Sequence, residues 1–295
     1  MILGDALRSA AQTLLRKGID DASAEAELLL GHVLGMSKTQ LYTEPEKVLA
    51  PTEISQLWSL IQRRLNHEPT AYILGHCEFY GIDLYLDHHT FIPRPETELL
   101  VEQAVALAHR ISQPGKRITI ADVGTGCGAI AVTLAIALPQ AKIYATDISV
   151  RALQVADMNC RRHAVDSQVE LVQGNLLEPL SEPVDMIVAN LPYVKDCEFK
   201  DLSPDIMNFE PSSALAAGAD GLDKIRLMLG QTPGKLNCGG YFLLEIGKDQ
   251  GRQVTSIIKG CFPKASIELI SDLGGIERVV KVGLSAGRSI SIGMR

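Results

Sequence analysis

The chain has 295 residues, 46% of them hydrophobic and 21% charged, with 25 Gly and 14 Pro. That is apolar enough for a sizeable core, which excludes a disordered, collagen-like or small disulfide-stapled protein. Lys and Arg number 28 against 35 Asp and Glu, a net charge of -7, so no chain-wide basic excess exists to hold a phosphate backbone and a direct nucleic-acid substrate is not expected.

Residues 1–75 carry helical spacing. Leu3, Leu7, Ala11 and Leu14 predict a helix ending near Gly18, and Ala24 to Leu34 a second ending near Gly35. After Pro51-Thr52, the residues Ile54, Leu57, Trp58, Ile61 and Leu65 share one helix face, while Glu53, Gln62, Arg63 and Arg64 take the others. A small all-helical bundle is expected, with Asp20, Asp21, Glu44 and Glu46 as solvated acids able to meet a basic partner. Residues 76–92 switch to aromatic and β-favouring types around Gly81-Ile82-Asp83, which predicts a β-hairpin linker at the domain boundary.

From residue 93 to 284 the pattern alternates. Strands are expected at Ile118–Val123, Lys142–Thr146, near Val169–Val172, at Val184–Ala189 and Tyr241–Ile246, and near Ile267 and Val279. Helices are expected from about Ala129 to Leu138, at Val150–Arg162, after Asp220 and after Asp249. Repeated strand-helix units imply an α/β, mostly parallel, doubly wound sheet. Residues 285–295 are small and polar and read as a frayed tail.

The six cysteines, Cys77, Cys127, Cys160, Cys197, Cys238 and Cys261, form no Cys-x-x-Cys pair. Neither a zinc site nor a disulfide framework is expected, and a reducing cytoplasm fits best. The start of the chain lacks the pattern of a standard export signal, and no stretch approaches the ~20 apolar residues of a membrane span. His88-His89 has no Cys or His partners to complete a metal site, so loop histidines and no metal are expected. Cys127 has no adjacent base and reads as a small loop residue instead of a nucleophile.

Three features carry chemistry. Asp122-Val123-Gly124-Thr125-Gly126-Cys127-Gly128 follows the first strand of the sheet and opens a helix, where glycines let a ligand approach the backbone beside free helix N–H groups. Asp147 ends the next strand, at a separation where a carboxylate can accept both hydroxyls of a ribose. Gly124-x-Gly126-x-x-Ala129 also satisfies a relaxed dinucleotide pattern, so the glycines alone leave NAD open. The third feature is Asn190-Leu191-Pro192-Tyr193, directly after the apolar strand Val184–Ala189. There the Asn190 side-chain oxygen and a backbone carbonyl near Pro192 can accept both N–H groups of a planar amide or exocyclic amine, while Tyr193 stacks on it. Leaving either donor buried and unpaired would cost about 1–3 kcal/mol.

With these residues in view, the chain resembles the family that methylates the glutamine amide of peptide chain release factors using S-adenosylmethionine. The likeness runs from the helical domain to about Val282. Phe91-Ile92-Pro93-Arg94-Pro95-Glu96-Thr97-Glu98, the glycine loop, Asp147, the Asn-x-Pro-Tyr loop, Glu210-Pro211, Asp220-Gly221-Leu222-Asp223 and Glu245-Ile246-Gly247 are similar to its signature blocks, in order. Leu191 departs from it, standing where the family usually has a second proline, and Asn-Leu-Pro-Tyr also resembles the loop of ribosomal RNA adenine dimethylases.

The resemblance implies a class I (Rossmann-like) methyltransferase sheet of seven mixed strands behind a small N-terminal all-helical substrate-recognition domain. It implies that Gly124, Thr125, Gly126, Cys127 and Gly128 hold the methionine part of the cofactor, Asp147 the ribose, and Asn175 and Leu176 the adenine, with Asn175 where an Asp is common. Asn190, Pro192 and Tyr193 would be catalytic, Asn190 also touching the cofactor. The substrate would meet Asn190, Leu191, Pro192 and Tyr193, with Arg94, Glu96 and Thr97 closing over the site. The expected reaction moves the sulfonium methyl group to the glutamine amide nitrogen in the Gly-Gly-Gln motif of a release factor, in the cytoplasm, with a monomer as the favoured state. An adenine amine methyltransferase on RNA or DNA, an NAD-dependent enzyme, and a cofactor-binding interaction protein without catalysis are the alternatives.

Overall fold

The computed structural model describes residues 1–113 and 115–285. The chain divides into two compact units, one of residues 1–76 with 203–209, the other of residues 77–202 with the chain from Glu210 onward.

The first unit is built from α1 (Leu3–Arg16), α2 (Ala22–Leu34), α3 (Lys38–Thr43), α4 (Pro51–Leu65) and α5 (Thr70–Leu74). Helix α4 begins where Pro51 occupies the first turn and the Glu53 carboxylate accepts the Ala50 backbone N–H at 2.7 Å. Its inner face buries Leu57 and Ile61 completely, with Ile54, Trp58 and Leu65 packed against the same core. Each such full burial contributes about 1.5–3 kcal/mol. In α1 the innermost residues are Leu3, Ala6, Ala10 and Leu14. The expected Leu7 and Ala11 stand beside that stripe, half-buried, because the two alanines let α2 approach. Helices α3 and α5 went unforeseen: six and five residues are too few to show a period, although Ser37 and Gln40 form a capping box at the start of α3.

In the second unit, β1 (His76–Phe79) and β2 (Ile82–Tyr85) form the two-stranded hairpin. Then come α6 (Thr97–Ile111), β3 (Thr119–Val123), α7 (Ala129–Ala137), β4 (Lys142–Asp147), α8 (Val150–Arg162), β5 (Val169–Gln173) and β6 (Val184–Ala189). After the short α9 (Pro204–Phe209), which packs with the helical unit, follow α10 (Asp223–Gln231), β7 (Leu236–Glu245), α11 (Gly251–Cys261), β8 (Ser266–Ser271) and β9 (Glu277–Gly283). The seven-stranded sheet has the order β5-β4-β3-β6-β7-β9-β8. Strands β3 to β7 pair in parallel, and β9 runs antiparallel between β7 and β8. That reversed insertion departs from the all-parallel continuation of a dinucleotide-binding sheet. The expected class I, Rossmann-like sheet is thus the one observed.

Central strands read as unbroken apolar runs because helices cover both faces: β6 buries five of its six residues, and α7 buries every residue from Ala129 to Ala135. Strand β7 starts five residues before the expected Tyr241, because Gly239-Gly240 lets the ladder shift register between Val184↔Leu236 and Met186↔Tyr241. Helix α6 had not been read from the sequence.

Two details of bonding tie segments distant in sequence together within each unit. The hairpin is joined to α8 instead of hanging as a linker: Asn159, fully buried, accepts the Tyr85 N–H and donates to the carbonyls of Tyr85 and Cys127, each at 2.8 Å. In the helical unit, Arg64 of α4 is 6% exposed and donates to both Glu25 and, at 2.8 Å, Asp205 of α9. Asp205 also meets His67 Nδ1 at 3.1 Å. Of the expected frayed tail, all but Ser285 lies outside the described residues.

Candidate functional site

Strands β3, β4, β5, β6 and β7 end along one edge of the sheet, and the residues with chemical character gather there. Beyond β3 the chain turns through Gly124–Gly128 into α7. Gly126 and Gly128 have φ of 57° and 85°, a region that favours glycine. A Cβ at Gly128 would stand 3.2 Å from Cβ of Ala156, whereas one at Gly126 would meet open space. Tight packing thus fixes the first of these, while the second lies along an open cradle.

Asp122, in β3, is wholly buried. Its Oδ2 accepts from Thr125 Oγ1 at 2.6 Å and from the Ala131 N–H at 3.1 Å, which pins the loop to the first turn of α7. Oδ1 is buried without a hydrogen-bond partner among the described residues. Burial pushes this carboxyl up to about 7, against the pull of Thr125 and Ala131. Asp147, at the end of β4, accepts from Gly126 N–H at 2.9 Å through Oδ2 and from Ser149 N–H at 2.8 Å through Oδ1. Its pKa too is raised by burial. Each oxygen retains a lone pair for a further donor. Ile148, the next residue, presents an apolar side chain 64% exposed.

After β5, Leu176 adopts φ 56°, an uncommon conformation for a non-glycine residue. The Asn175 amide donates to Glu178 at 3.3 Å, leaving its oxygen as the available acceptor. Cys127 is buried and its thiol is pushed up to about 12 by burial, which keeps it protonated at neutral pH.

The Asn190–Tyr193 loop leaves β6 beside the glycine loop. Leu191 is 3% exposed and belongs to the sheet's core; its side chain would lie 3.4 Å from a Cβ at Gly124. The residue that replaces the family's second proline therefore anchors the loop by burial. Asn190 Nδ2 donates to Thr97 Oγ1, at the start of α6, over 3.0 Å. Tyr193 has its carbonyl bonded by Gln250 Nε2 at 3.2 Å, and burial raises its phenol to about 12. The same Gln250 accepts the Gly247 N–H at 2.9 Å and donates to the Gly221 carbonyl at 3.3 Å. One buried amide thus ties together three blocks of the expected signature.

Arg94 pairs with the buried Glu210 and lies 4.6 Å over the Phe91 ring; Glu210 also accepts the Ile92 N–H at 3.3 Å. Glu96 meets Arg278 of β9 at 3.8 Å. Of the expected lid residues, only Thr97 touches Asn190 directly.

Sequence reasoning assigned no individual role to Ile148, Asn159 or Gln250, and named Asp122 and Glu245 only as parts of longer blocks. Glu245 ends β7, is 3% exposed, and lies next to the residue facing Asn190's strand, since Ala189 pairs with Leu244. The available signal was an acid closing the apolar run Tyr241-Phe242-Leu243-Leu244. Around the histidine pair, Asp87 joins His88 and His89, with one ligand-type atom of each within 4.8 Å of the others, a neighbour the sequence reading did not count.

Comparison with known proteins gives two family matches, the PrmC N-terminal domain over residues 5–75 and the Methyltransferase small domain over residues 97–209. A "Release factor glutamine methyltransferase" of Moorella thermoacetica is 39% identical over 279 residues, which cover 94% of this chain and 97% of that protein. One of Koribacter versatilis is 39% identical, covering 95% and 98%. Among solved structures, the hMettl16 catalytic domain in complex with MAT2A 3'UTR hairpin 1 aligns at a TM-score of 0.55 and 13% identity, over 85% of this chain and 86% of that one. The T. thermophilus 16S rRNA N2 G1207 methyltransferase in complex with AdoMet and guanosine aligns at 0.50 and 17% identity, over 71% and 49%.

Proposed function

The chain belongs to the release factor glutamine methyltransferase family, and from that premise we propose that it transfers the methyl group of S-adenosylmethionine to the side-chain amide nitrogen of the glutamine in the Gly-Gly-Gln motif of peptide chain release factors. The observation that carries this reading is the pairing of Asn190 with Thr97 at the end of β6. The amide's NH2 group is already used, so Asn190 Oδ1 is the atom left to accept from a planar NH2.

The sheet edge suits the cofactor. The orphaned Oδ1 of Asp122, the open space beside Gly126 and the unspent lone pairs of Asp147 form a cradle of acceptors and backbone N–H groups at the N-terminus of α7. In this reading Gly124 to Gly128 hold the methionine portion, Asp147 the ribose, and Ile148, Asn175 and Leu176 the adenine. Bound there, S-adenosylmethionine supplies an electrophilic methyl group on a positive sulfur.

The residues of the loop orient the acceptor. Asn190 Oδ1 and a backbone carbonyl near Pro192 accept the two amide hydrogens, and Tyr193 stacks against the planar group. This directs the nitrogen lone pair along the line of attack, and such orientation can contribute up to ~7–11 kcal/mol. Carbon–nitrogen bond formation breaks the carbon–sulfur bond, whose electron pair stays on sulfur. The methylated amide then releases one proton to water as its carbonyl resonance is restored. Acceptor dipoles fixed beforehand favour the charge that develops on nitrogen. The Arg94–Glu210 pair holds the segment before Thr97 in position.

No helix among the described residues is long and apolar enough to cross a membrane, and the reading puts the enzyme in the cytoplasm with its release-factor substrate. Incubating the full-length protein with methyl-labelled S-adenosylmethionine, a release factor and an RNA fraction tests it. Mass spectrometry should find one methyl group on the glutamine amide; label confined to RNA would replace this reading with the adenine one.

A further inference from the structure

Glu245 is an acid kept at 3% exposure inside the site, with Oε2 lacking any hydrogen-bond partner among the described residues. A buried unpaired acceptor is costly, so its presence calls for a compensating role. The groups facing it come from every surrounding element: Thr97 at the head of α6, Glu96 just before it, Asn190 after β6, Tyr193 in the loop, and Arg278 on β9. Thr97 is itself 3% exposed.

Three side chains here have limited hydrogen-bond options. A carboxylate can only accept, a threonine hydroxyl has one hydrogen to give, and an Asn amide has a donating end and an accepting end. Asn190 Nδ2 donates to Thr97 Oγ1 at 3.0 Å. The Thr97 hydrogen is then directed elsewhere, and the Glu245 carboxylate faces it together with the second hydrogen of the Asn190 NH2 group. Rotating Asn190 by half a turn would set Oδ1 against an oxygen whose hydrogen is committed.

We propose that Glu245 is a positioning residue for methyl transfer: accepting from the Asn190 NH2 group and acting through Thr97, it fixes the rotation of the Asn190 amide so that Oδ1, and not the NH2 group, meets the incoming glutamine nitrogen. The proposal rests on the function given above. It assigns specificity for an NH2-bearing acceptor to a carboxylate that need not touch the substrate. A protonated Glu245, or a Gln in its place, can donate to Thr97 Oγ1. That frees the Thr97 hydrogen to turn toward Asn190 Oδ1, and both rotations become permissible.

The test uses the full chain with release factor, measuring single-turnover methyl transfer from pH 5.5 to 8.5, cofactor affinity, and the side-chain amide resonances of Asn190 in 15N-labelled protein. Burial holds the Glu245 carboxyl up at about 7, so the wild-type rate should rise with pH around that midpoint and the Asn190 amide signals should shift with it. Glu245→Gln should flatten both profiles and lower the rate at pH 8 at least tenfold, with cofactor affinity changed less than twofold. Thr97→Val, which removes one of the two anchors, should lower the rate in the same direction but less, and Thr97→Ser should restore the rate and the pH profile that Thr97→Val loses. A wild-type rate and pH profile in Glu245→Gln would overturn the proposal. Should Glu245→Gln not fold, Thr97→Val and Thr97→Ser behaving alike would overturn it. If the wild type transfers no methyl group to release factor, the functional reading fails. Asn190 resonances insensitive to pH and to Glu245→Gln would instead refute the positioning role, whatever the substrate.

Discussion

Asp122 should make the protein less stable as pH rises, and Asp122→Asn should remove that dependence. Its carboxyl is pushed from 3.8 to about 7 by complete burial, so the folded state holds a proton that the unfolded chain releases. The sign follows: the stabilising contribution is full below about pH 4 and is lost as pH climbs through 7. Three units at 1.36 kcal/mol each amount to roughly 4 kcal/mol, of which roughly 3 kcal/mol falls between pH 5 and pH 8. Asparagine can still accept from Thr125 and Ala131 through one oxygen, and its NH2 group would occupy the position of the unpaired Oδ1. The assay is denaturant unfolding of wild type and Asp122→Asn at both pH values, without cofactor. It should be followed by far-UV circular dichroism, because the lone tryptophan, Trp58, reports on the helical unit. The stability difference, variant minus wild type, should move in the variant's favour by roughly 3 kcal/mol from pH 5 to pH 8, a shift of ~6–12 °C in thermal midpoint for a unit of this size. The same difference at both pH values would refute the claim that a buried acid is being forced to ionise.

Asp147→Ala should weaken cofactor binding by at least a hundredfold, since two charge-assisted hydrogen bonds of about 1.5–3 kcal/mol each are lost; calorimetry finding unchanged affinity in a folded variant would put the ribose elsewhere. Asn190→Ala should abolish most transfer in single-turnover assays at saturating cofactor while lowering cofactor affinity less, and near-normal rates would remove the loop from the mechanism. Arg64→Ala should destabilise the helical unit by about 3–5 kcal/mol, because it strands Glu25 and Asp205 around a vacated, buried position. Trp58 fluorescence during denaturant unfolding would measure it, and a loss under 1 kcal/mol would show the cluster to be solvated.

The sequence made legible whatever its chemistry writes locally. The apolar run Val184–Ala189 announced a buried parallel strand, and the glycines from Gly124 to Gly128 announced a turn into a helix, because one-sided burial and positive φ each impose their own residue types. Helix α6 was written there too, although it was not read: Leu100, Val101, Ala104, Leu107 and Ala108 recur at three and four and are all buried. Features made by pairing distant segments were not legible. Glu245 meets the Asn190 loop only because Leu244 pairs with Ala189, a register that no local pattern encodes across 55 positions. Asp205 docks on Arg64 from 141 residues away, and nothing in Pro204–Phe209 distinguishes it from a surface turn. The antiparallel β9 came from the resemblance, since alternation in β8 and β9 fixes a strand but not its direction.

The division of labour in the site follows from what a planar nitrogen offers. A glutamine amide and an adenine amine both present an NH2 group with a delocalised lone pair, so a loop built to accept two hydrogens and stack one ring cannot by itself separate them. The fold does not separate them either, since solved structures of RNA-bound and guanosine-bound methyltransferases share it at 13% and 17% identity. Selection must therefore come from surfaces that meet the rest of the substrate. A net charge of -7 works against a nucleic-acid backbone, whose phosphates are neutralised mainly by Lys and Arg, and leaves a folded protein partner the better match. A glutamine in a flexible loop has few contacts of its own, so docking elsewhere on that partner would raise its effective concentration at Asn190. In the reading proposed above, the helical unit takes no part in the cofactor or amide chemistry. Changes to its exposed residues, Tyr42 and Val48 among them, should therefore slow methylation of intact release factor while leaving a short Gly-Gly-Gln peptide nearly unaffected. Equal loss on both substrates in a folded variant would assign those helices to stability and return selection to the sheet edge.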